Sequence, residues 1–221
     1  MGKFIVIEGT DGSGKETQAK LLCDDLTAMG KKVRYISFPC YESDSSFAVK
    51  KYLSGELGES PDDTNAYAAS MFFATDRYIS FVTDWKKDVF DPETVVIANR
   101  YTTANAVHQL AKLPRYEWNE FITWLRDFEF VKLSLPRPDL VIYLDVPNDV
   151  SEKLIEYRMK ETGRGKDIHE SDLSFLKKSH EAAVFASSVL GWRTIRCADK
   201  GVLRSRQDIH SEIMEKIGDV K

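Results

Sequence analysis

Apolar residues gather in short unbroken runs at Phe4 to Ile7, Val95 to Ala98 and Leu140 to Leu144. Such runs mark strands covered by helices on both faces, whereas a strand with one wet face alternates apolar and polar residues. Weaker runs at Val33 to Phe38 and Arg193 to Cys197 bring the predicted strands to five. Between them, apolar positions recur at helical spacing over Thr17 to Met29, Ala66 to Val89, Tyr116 to Leu133, Val150 to Glu161, Leu173 to Leu190 and Arg206 to Ile217. Strands alternating with helices predict an α/β chain in three layers, with a mainly parallel five-stranded sheet between helices. No repeat, low-complexity tract or linker interrupts the 221 residues, so one domain over 1–221 is expected.

The segment after the first run is rich in glycine. Gly9-Thr10-Asp11-Gly12-Ser13-Gly14-Lys15-Glu16-Thr17 stands between a predicted strand and a predicted helix, the setting of a phosphate-binding loop. Glycines let the backbone turn with positive φ and bring its N–H groups onto a polyphosphate, and the following helix points its positive end at the same place. Lys15 adds a mobile charge that reaches the β- and γ-phosphates. The pattern G-x-x-x-x-G-K-[ST] is met except at its last position, where Glu16 replaces the hydroxyl that normally meets Mg²⁺ and Thr17 follows.

In open α/β sheets ligands sit beyond the carboxyl ends of the strands. The residues to watch are therefore Phe38-Pro39-Cys40-Tyr41, Asn99-Arg100-Tyr101 and Asp145-Val146-Pro147. A basic, glycine-bearing stretch containing Arg158 and Arg164 predicts a mobile lid over about 158–168. Phosphoryl transfer needs positioning and charge neutralisation, which Arg77, Arg100, Arg158 and Arg164 can supply around two phosphate-bearing molecules. Phe72 and Phe73, one turn before Arg77, offer a base-stacking face or simply core.

Composition narrows the function. A net charge of −4 argues against a broad nucleic-acid-binding face. Cys23, Cys40 and Cys197 are odd in number and widely spaced, which suggests neither a disulfide framework nor a zinc site. No run approaches membrane-spanning length, and the first strand begins too early for a secretion signal, so a cytoplasmic protein is expected.

Taken together, the loop Gly9-Thr10-Asp11-Gly12, the Phe38-Pro39 turn, Phe73-Ala74-Thr75-Asp76-Arg77, Asn99-Arg100-Tyr101 and Pro138-Asp139-Leu140 resemble the thymidylate kinase family. The resemblance spans Phe4 to about Glu170. It implies a P-loop NTPase fold, ATP and Mg²⁺, transfer of the γ-phosphoryl group to dTMP, and a homodimer for which the helices around Phe72, Trp85 and Trp124 have room. It implies donor contacts from residues 9–17, catalytic roles for Lys15 and Arg100, and Asp11 near the acceptor's sugar and phosphate. Arg77 and Arg100 match positions that hold the acceptor phosphate and bridge toward the donor. Phe73 matches the residue that stacks on thymine, and Asn105 one that hydrogen-bonds its edge; Phe38, Pro39, Tyr41 and His108 complete the acceptor wall. Because Ser13 stands where some members carry a catalytic arginine, the lid is expected to supply it, Arg164 before Arg158.

The sequence departs from that pattern at Glu16, at Asn99, where the family commonly has aspartate, and at Tyr41 and His108. One carboxylate is gained and one lost in the same neighbourhood. Either Glu16, with Thr17, takes over charge toward Mg²⁺, or it faces solvent from the first helical turn, where the dipole favours it. Two rivals stay open: a kinase of another nucleoside monophosphate or of a deoxynucleoside, and a P-loop module without turnover.

Overall fold

The computed structural model describes residues 2–163 and 165–218. β1 (Lys3–Gly9) is buried from Phe4 onward, the burial that its apolar run requires. Past the phosphate loop, α1 (Lys15–Ala28) returns the chain to β2 (Lys32–Ser37). α2 (Phe47–Leu53) and α3 (Ala66–Ser80) follow, and α3 runs through a π-helical turn at Phe81–Trp85 into α4 (Lys86–Phe90) and then β3 (Thr94–Asn99). α5 (Thr103–His108) and α6 (Trp118–Asp127), the latter extended by a π-helical turn at Phe128–Lys132, lead to β4 (Leu140–Asp145). α7 (Asn148–Thr162), α8 (Ile168–Ser171) and α9 (Leu173–Leu190) precede β5 (Arg193–Arg196). A short antiparallel hairpin of β6 (Ala198–Asp199) and β7 (Val202–Leu203) and the helix α10 (Arg206–Ile217) come next.

The five long strands form one parallel sheet in the order β2-β3-β1-β4-β5. Chain order reverses about β1, and the crevice beyond its carboxyl end is where such sheets hold ligands. Register carries functional residues there together: Ile7 pairs with Asn99, Asn99 with Ser37, and Gly9 with Leu144. The side-chain period of two divides the core. Ile5 and Ile7 pack with Leu22 of α1 and Ile213 of α10, while Phe4 and Val6 pack on the other face with Phe81, Trp85 and Tyr101.

The five strands and their alternation with helices are as expected from the sequence. The predicted Ala66 to Val89 helix contains the π-helical turn, which turns Phe81 and Trp85 inward. Trp85 is fully buried against Phe4, Phe38 and Tyr101, so it cannot belong to an exposed interface. Within the 158–168 stretch expected as a lid, α7 stays helical to Thr162 and carries Arg158. None of the described helices is long and apolar enough to cross a membrane.

Candidate active site

Gly12 and Gly14 adopt φ of 75° and 78°, and Gly14 caps α1, whose N-terminus opens toward the loop. A Cβ on Gly9 would lie 2.4 Å from Ser13 Oγ, and one on Gly12 2.6 Å from the Ser151 carbonyl. Close packing and backbone sign both require glycine here. Lys15 Nζ donates to the Thr10 carbonyl at 3.1 Å across the mouth of the loop.

Arg100 occupies the next strand end. Its N–H bonds the Ile7 carbonyl at 3.1 Å, and its φ is 64°, a left-handed backbone that a non-glycine residue holds only where its surroundings impose it. Its guanidinium donates to Asp11 Oδ1, reaches His108 Nε2 at 2.7 Å and lies 3.9 Å from Glu8. Burial alone would raise the Asp11 carboxyl, but Arg100 and then Lys15 hold it far below the usual carboxylate range. Glu8, fully buried, accepts from Thr103 Oγ1 at 2.5 Å and from the Gly9 N–H at 3.0 Å. Its signal in the sequence is a single carboxylate at the end of an otherwise apolar run.

Burial pushes the Lys15 ammonium down to about 8, with Arg100 adding to the shift and Asp11 and Glu8 opposing it. A bound polyphosphate favours the charged form, so binding above that pH must draw a proton from solution. ATP affinity is therefore expected to hold below pH 8 and to weaken by up to about tenfold per pH unit above it. Calorimetric titrations between pH 7 and 9.5 check this, with Lys15→Arg as the control; a flat wild-type profile contradicts it.

A cavity of about 720 Å³ opens on these residues. Phe73, Arg77, Asn105, His108 and Tyr41 line it, as do Leu154, Tyr157, Arg204 and Arg206. Phe38 and Pro39 also line it, although the Phe38 ring belongs mostly to the core beneath. Both Phe72 and Phe73 pack against Tyr52, and Phe73 also borders the cavity.

Arg77 differs from expectation. It is 1% exposed and forms a bidentate pair with the fully buried Glu129, Nε to Oε2 at 2.8 Å and Nη2 to Oε1 at 2.6 Å. A charge so buried has to be matched, and once matched it is no spare cation for a phosphate. Asn105 Nδ2 donates to the same Glu129 Oε1 at 3.0 Å and to the Ser70 carbonyl at 3.3 Å. Both nitrogen protons are therefore used, and Oδ1 is left for the cavity. Glu129 was missed because it lies within a helical run; the π-helical turn directs it inward.

Glu16 accepts from Lys20 Nζ at 2.6 Å in a pair whose side chains are each about 60% exposed. Of the two readings of Glu16, this geometry is the solvent-facing one. Thr17 is exposed too. Asn99 Nδ2 donates to Ser37 Oγ at 3.0 Å, leaving Oδ1 buried without a partner at the cavity wall. Among the described residues no group of three or more His, Cys, Asp or Glu side chains could hold a metal.

On α7, Arg158 forms a bidentate pair with Glu170 at 2.8 and 2.9 Å, and Arg164 lies outside the described residues. Asp167 caps α8 through the His169 and Glu170 N–H groups, and burial, with Asp11 and Glu170 nearby, pushes its carboxyl up to about 6. Asp167, His169 and Glu170 all line the cavity, though the sequence reading stopped at the arginines.

The thymidylate kinase family model matches residues 7–209, from within β1 to α10. The chain belongs to the thymidylate kinase family. It is 30% identical to the thymidylate kinase of Mycobacterium tuberculosis over 192 residues, 86% of this chain and 87% of that one. It is 28% identical over 225 residues to a probable thymidylate kinase of Methanococcus maripaludis, covering 100% and 99%. The thymidylate kinase of Plasmodium falciparum is 27% identical over 220 residues, covering 100% and 91%. Like these enzymes in family, the chain is a nucleoside monophosphate kinase and its fold is theirs.

Proposed function

We propose that this protein transfers the γ-phosphoryl group of ATP to dTMP, giving ADP and dTDP. A phosphate oxygen of dTMP attacks the γ-phosphorus as the bond to the β,γ-bridging oxygen breaks, and the electrons of that bond leave with ADP. The observation that carries the base choice is the hydrogen-bond polarity of the Arg77–Glu129–Asn105 group. Arg77 offers N–H donors and Asn105 Oδ1 offers an acceptor. Thymine's edge carries a carbonyl acceptor and an N–H donor in matching order, whereas cytosine reverses both. Phe73 supplies the stacking face.

Asp11 is not available as a free base, since Arg100 holds it ionised and paired. This supports an acceptor that already bears a phosphate over one with a free 5′-hydroxyl. Residues 9–17 receive the ATP phosphates, Lys15 and Arg100 balance charge between donor and acceptor, and Arg204 and Arg206 border the adenine end. Mg²⁺ carried on the phosphates would neutralise their charge, with Asn99 Oδ1, Thr17 and, on release from Lys20, Glu16 as the nearby oxygens. Met71, Tyr78, Ile79 and Val82 leave an exposed apolar stripe along α3 and its π-helical turn, which supports a homodimer through that face in place of Trp85.

Arg164 is assigned the catalytic lid charge, because Arg158 is held by Glu170. Arg164→Ala is expected to lower turnover about 10³-fold with little change in folding; turnover within tenfold of wild type removes it from the role. The reading as a whole is tested by ADP release with dTMP, dUMP, dCMP and thymidine as acceptors. Release that depends on dTMP, extends to dUMP and fails with dCMP and thymidine supports it. ATP binding without acceptor-dependent release overturns it.

A further inference from the structure

Lys112, in the short turn after α5, takes its ammonium into the protein, where among the described residues no carboxylate forms a hydrogen bond or ion pair with it. Its Nζ donates to the Tyr52 hydroxyl at 2.7 Å and to the Thr64 carbonyl at 3.0 Å, and lies 4.7 Å from the Tyr52 ring centroid. Burial pushes it down to about 7, opposed only by the more distant Asp62. A buried cation on neutral acceptors is a poor stabiliser. Its use lies in the direction of its hydrogen bonds.

That direction passes along a chain of contacts. In its charged form, present below about pH 7, Lys112 has only protons to give, so Tyr52 Oη accepts from it and sends its own proton to His169 Nε2, 2.7 Å away. Nε2 of His169 is thereby an acceptor, and the ring proton resides on Nδ1. Burial keeps the ring neutral, its pKa pushed down to about 3. The imidazole is held between His108, stacked at 5.3 Å, and Phe175 at 4.6 Å. His108 Nε2 likewise faces Arg100, so both rings are fixed by donors at Nε2. Among the described residues Nδ1 of His169 meets no protein acceptor, and His169 lines the cavity.

The place of that donor selects its partner. Arg77, Asn105, Arg100, His108 and His169 line one cavity, and with the base on Arg77 and Asn105 and the phosphate on Arg100, as proposed above, the sugar falls beside the histidines. A deoxyribose with base at C1′ and phosphate at C5′ keeps one hydroxyl, at C3′. We infer that Lys112 and Tyr52 are positioning residues that fix the tautomer of His169, whose Nδ1–H donates to the 3′-hydroxyl oxygen of the acceptor. The inference rests on the dTMP kinase reading.

Two substitutions separate the tautomers, because the amide nitrogen of asparagine falls where Nδ1 lies and that of glutamine where Nε2 lies. With ATP saturating, His169→Gln is expected to raise KM for dTMP about tenfold, and His169→Asn to stay within about threefold of wild type. Tyr52→Phe and Lys112→Met are expected to raise that KM about three- to tenfold without moving the KM for ATP, and to add nothing further on top of His169→Gln. Wild type is expected to lose about tenfold on 3′-deoxythymidine monophosphate, a loss that His169→Gln largely lacks. Lys112→Met is expected to melt no lower than wild type, since a buried unpaired ammonium is removed.

Discrimination of the 3′-deoxy acceptor by His169→Gln at the wild-type level overturns the donor assignment. Additivity of Lys112→Met with His169→Gln, or a lower melting temperature with an unchanged acceptor KM, overturns the relay. A wild-type enzyme inactive on dTMP would instead sink the underlying reading, so the two failures are told apart.

Discussion

Arg100→Met is expected to lower kcat/KM for dTMP by about 10³ to 10⁵, the range that a transition-state arginine contributes in phosphoryl transfer. Three features place it highest among the cations. It stands at the strand end beside the phosphate loop, in a left-handed backbone that no helix or strand requires. It meets Asp11 and His108 and lies near Glu8. It also lines the cavity beside the phosphate loop. Its loss leaves buried carboxylates uncompensated, so about 3–5 kcal/mol of stability is expected to go as well. Steady-state kinetics and urea unfolding measure the two effects, and Arg100→Met with Asp11→Asn separates them. The double variant is expected to regain part of the stability and none of the activity. A folded Arg100→Met enzyme within tenfold of wild-type kcat/KM would show that the transfer does not use this charge.

The sheet, the phosphate loop and the strand-end position of Arg100 were legible because each depends on local pattern: unbroken apolar runs, glycine spacing and the step from strand to loop. Electrostatic partners were not. Arg77 read as a phosphate ligand because its sequence neighbourhood says nothing of Glu129, which lies 52 residues away in a π-helical turn and cancels its charge. The helix around Trp85 offered room for an interface because an aromatic on an apolar helix has the same spacing whether the helix turns it outward or inward. Glu8 and His169 were missed for a related reason. A single polar residue in an apolar strand, or just beyond a lid, acquires meaning only when Thr103 or Tyr52 is brought against it. α2 and α5 escaped notice because seven and six residues are too few for a helical period to declare itself.

Glu129→Gln is expected to have the second-largest effect and to act on two quantities at once. The first is stability. With side chains only 1% and 0% exposed, Arg77 and Glu129 balance one another, and removing one charge strands the other at a cost of about 3–5 kcal/mol. The second is base choice. Glu129 Oε1 accepts from both Arg77 Nη2 and Asn105 Nδ2, and with the Ser70 carbonyl it forces the Asn105 amide to turn its oxygen to the cavity. A wild-type site of fixed polarity is expected to prefer dTMP over dCMP by at least about 10³ in kcat/KM, because cytosine leaves buried groups facing like groups. The glutamine amide can present either an oxygen or an NH₂ to Asn105. The Asn105 amide is then free to turn its nitrogen toward the base, and the preference is expected to shrink by about 10². Urea unfolding and the dTMP to dCMP ratio, measured at a temperature where the variant is folded, separate the effects. Stability lost with base preference intact would make the pair a core contact and shift recognition of the base to Phe73 alone.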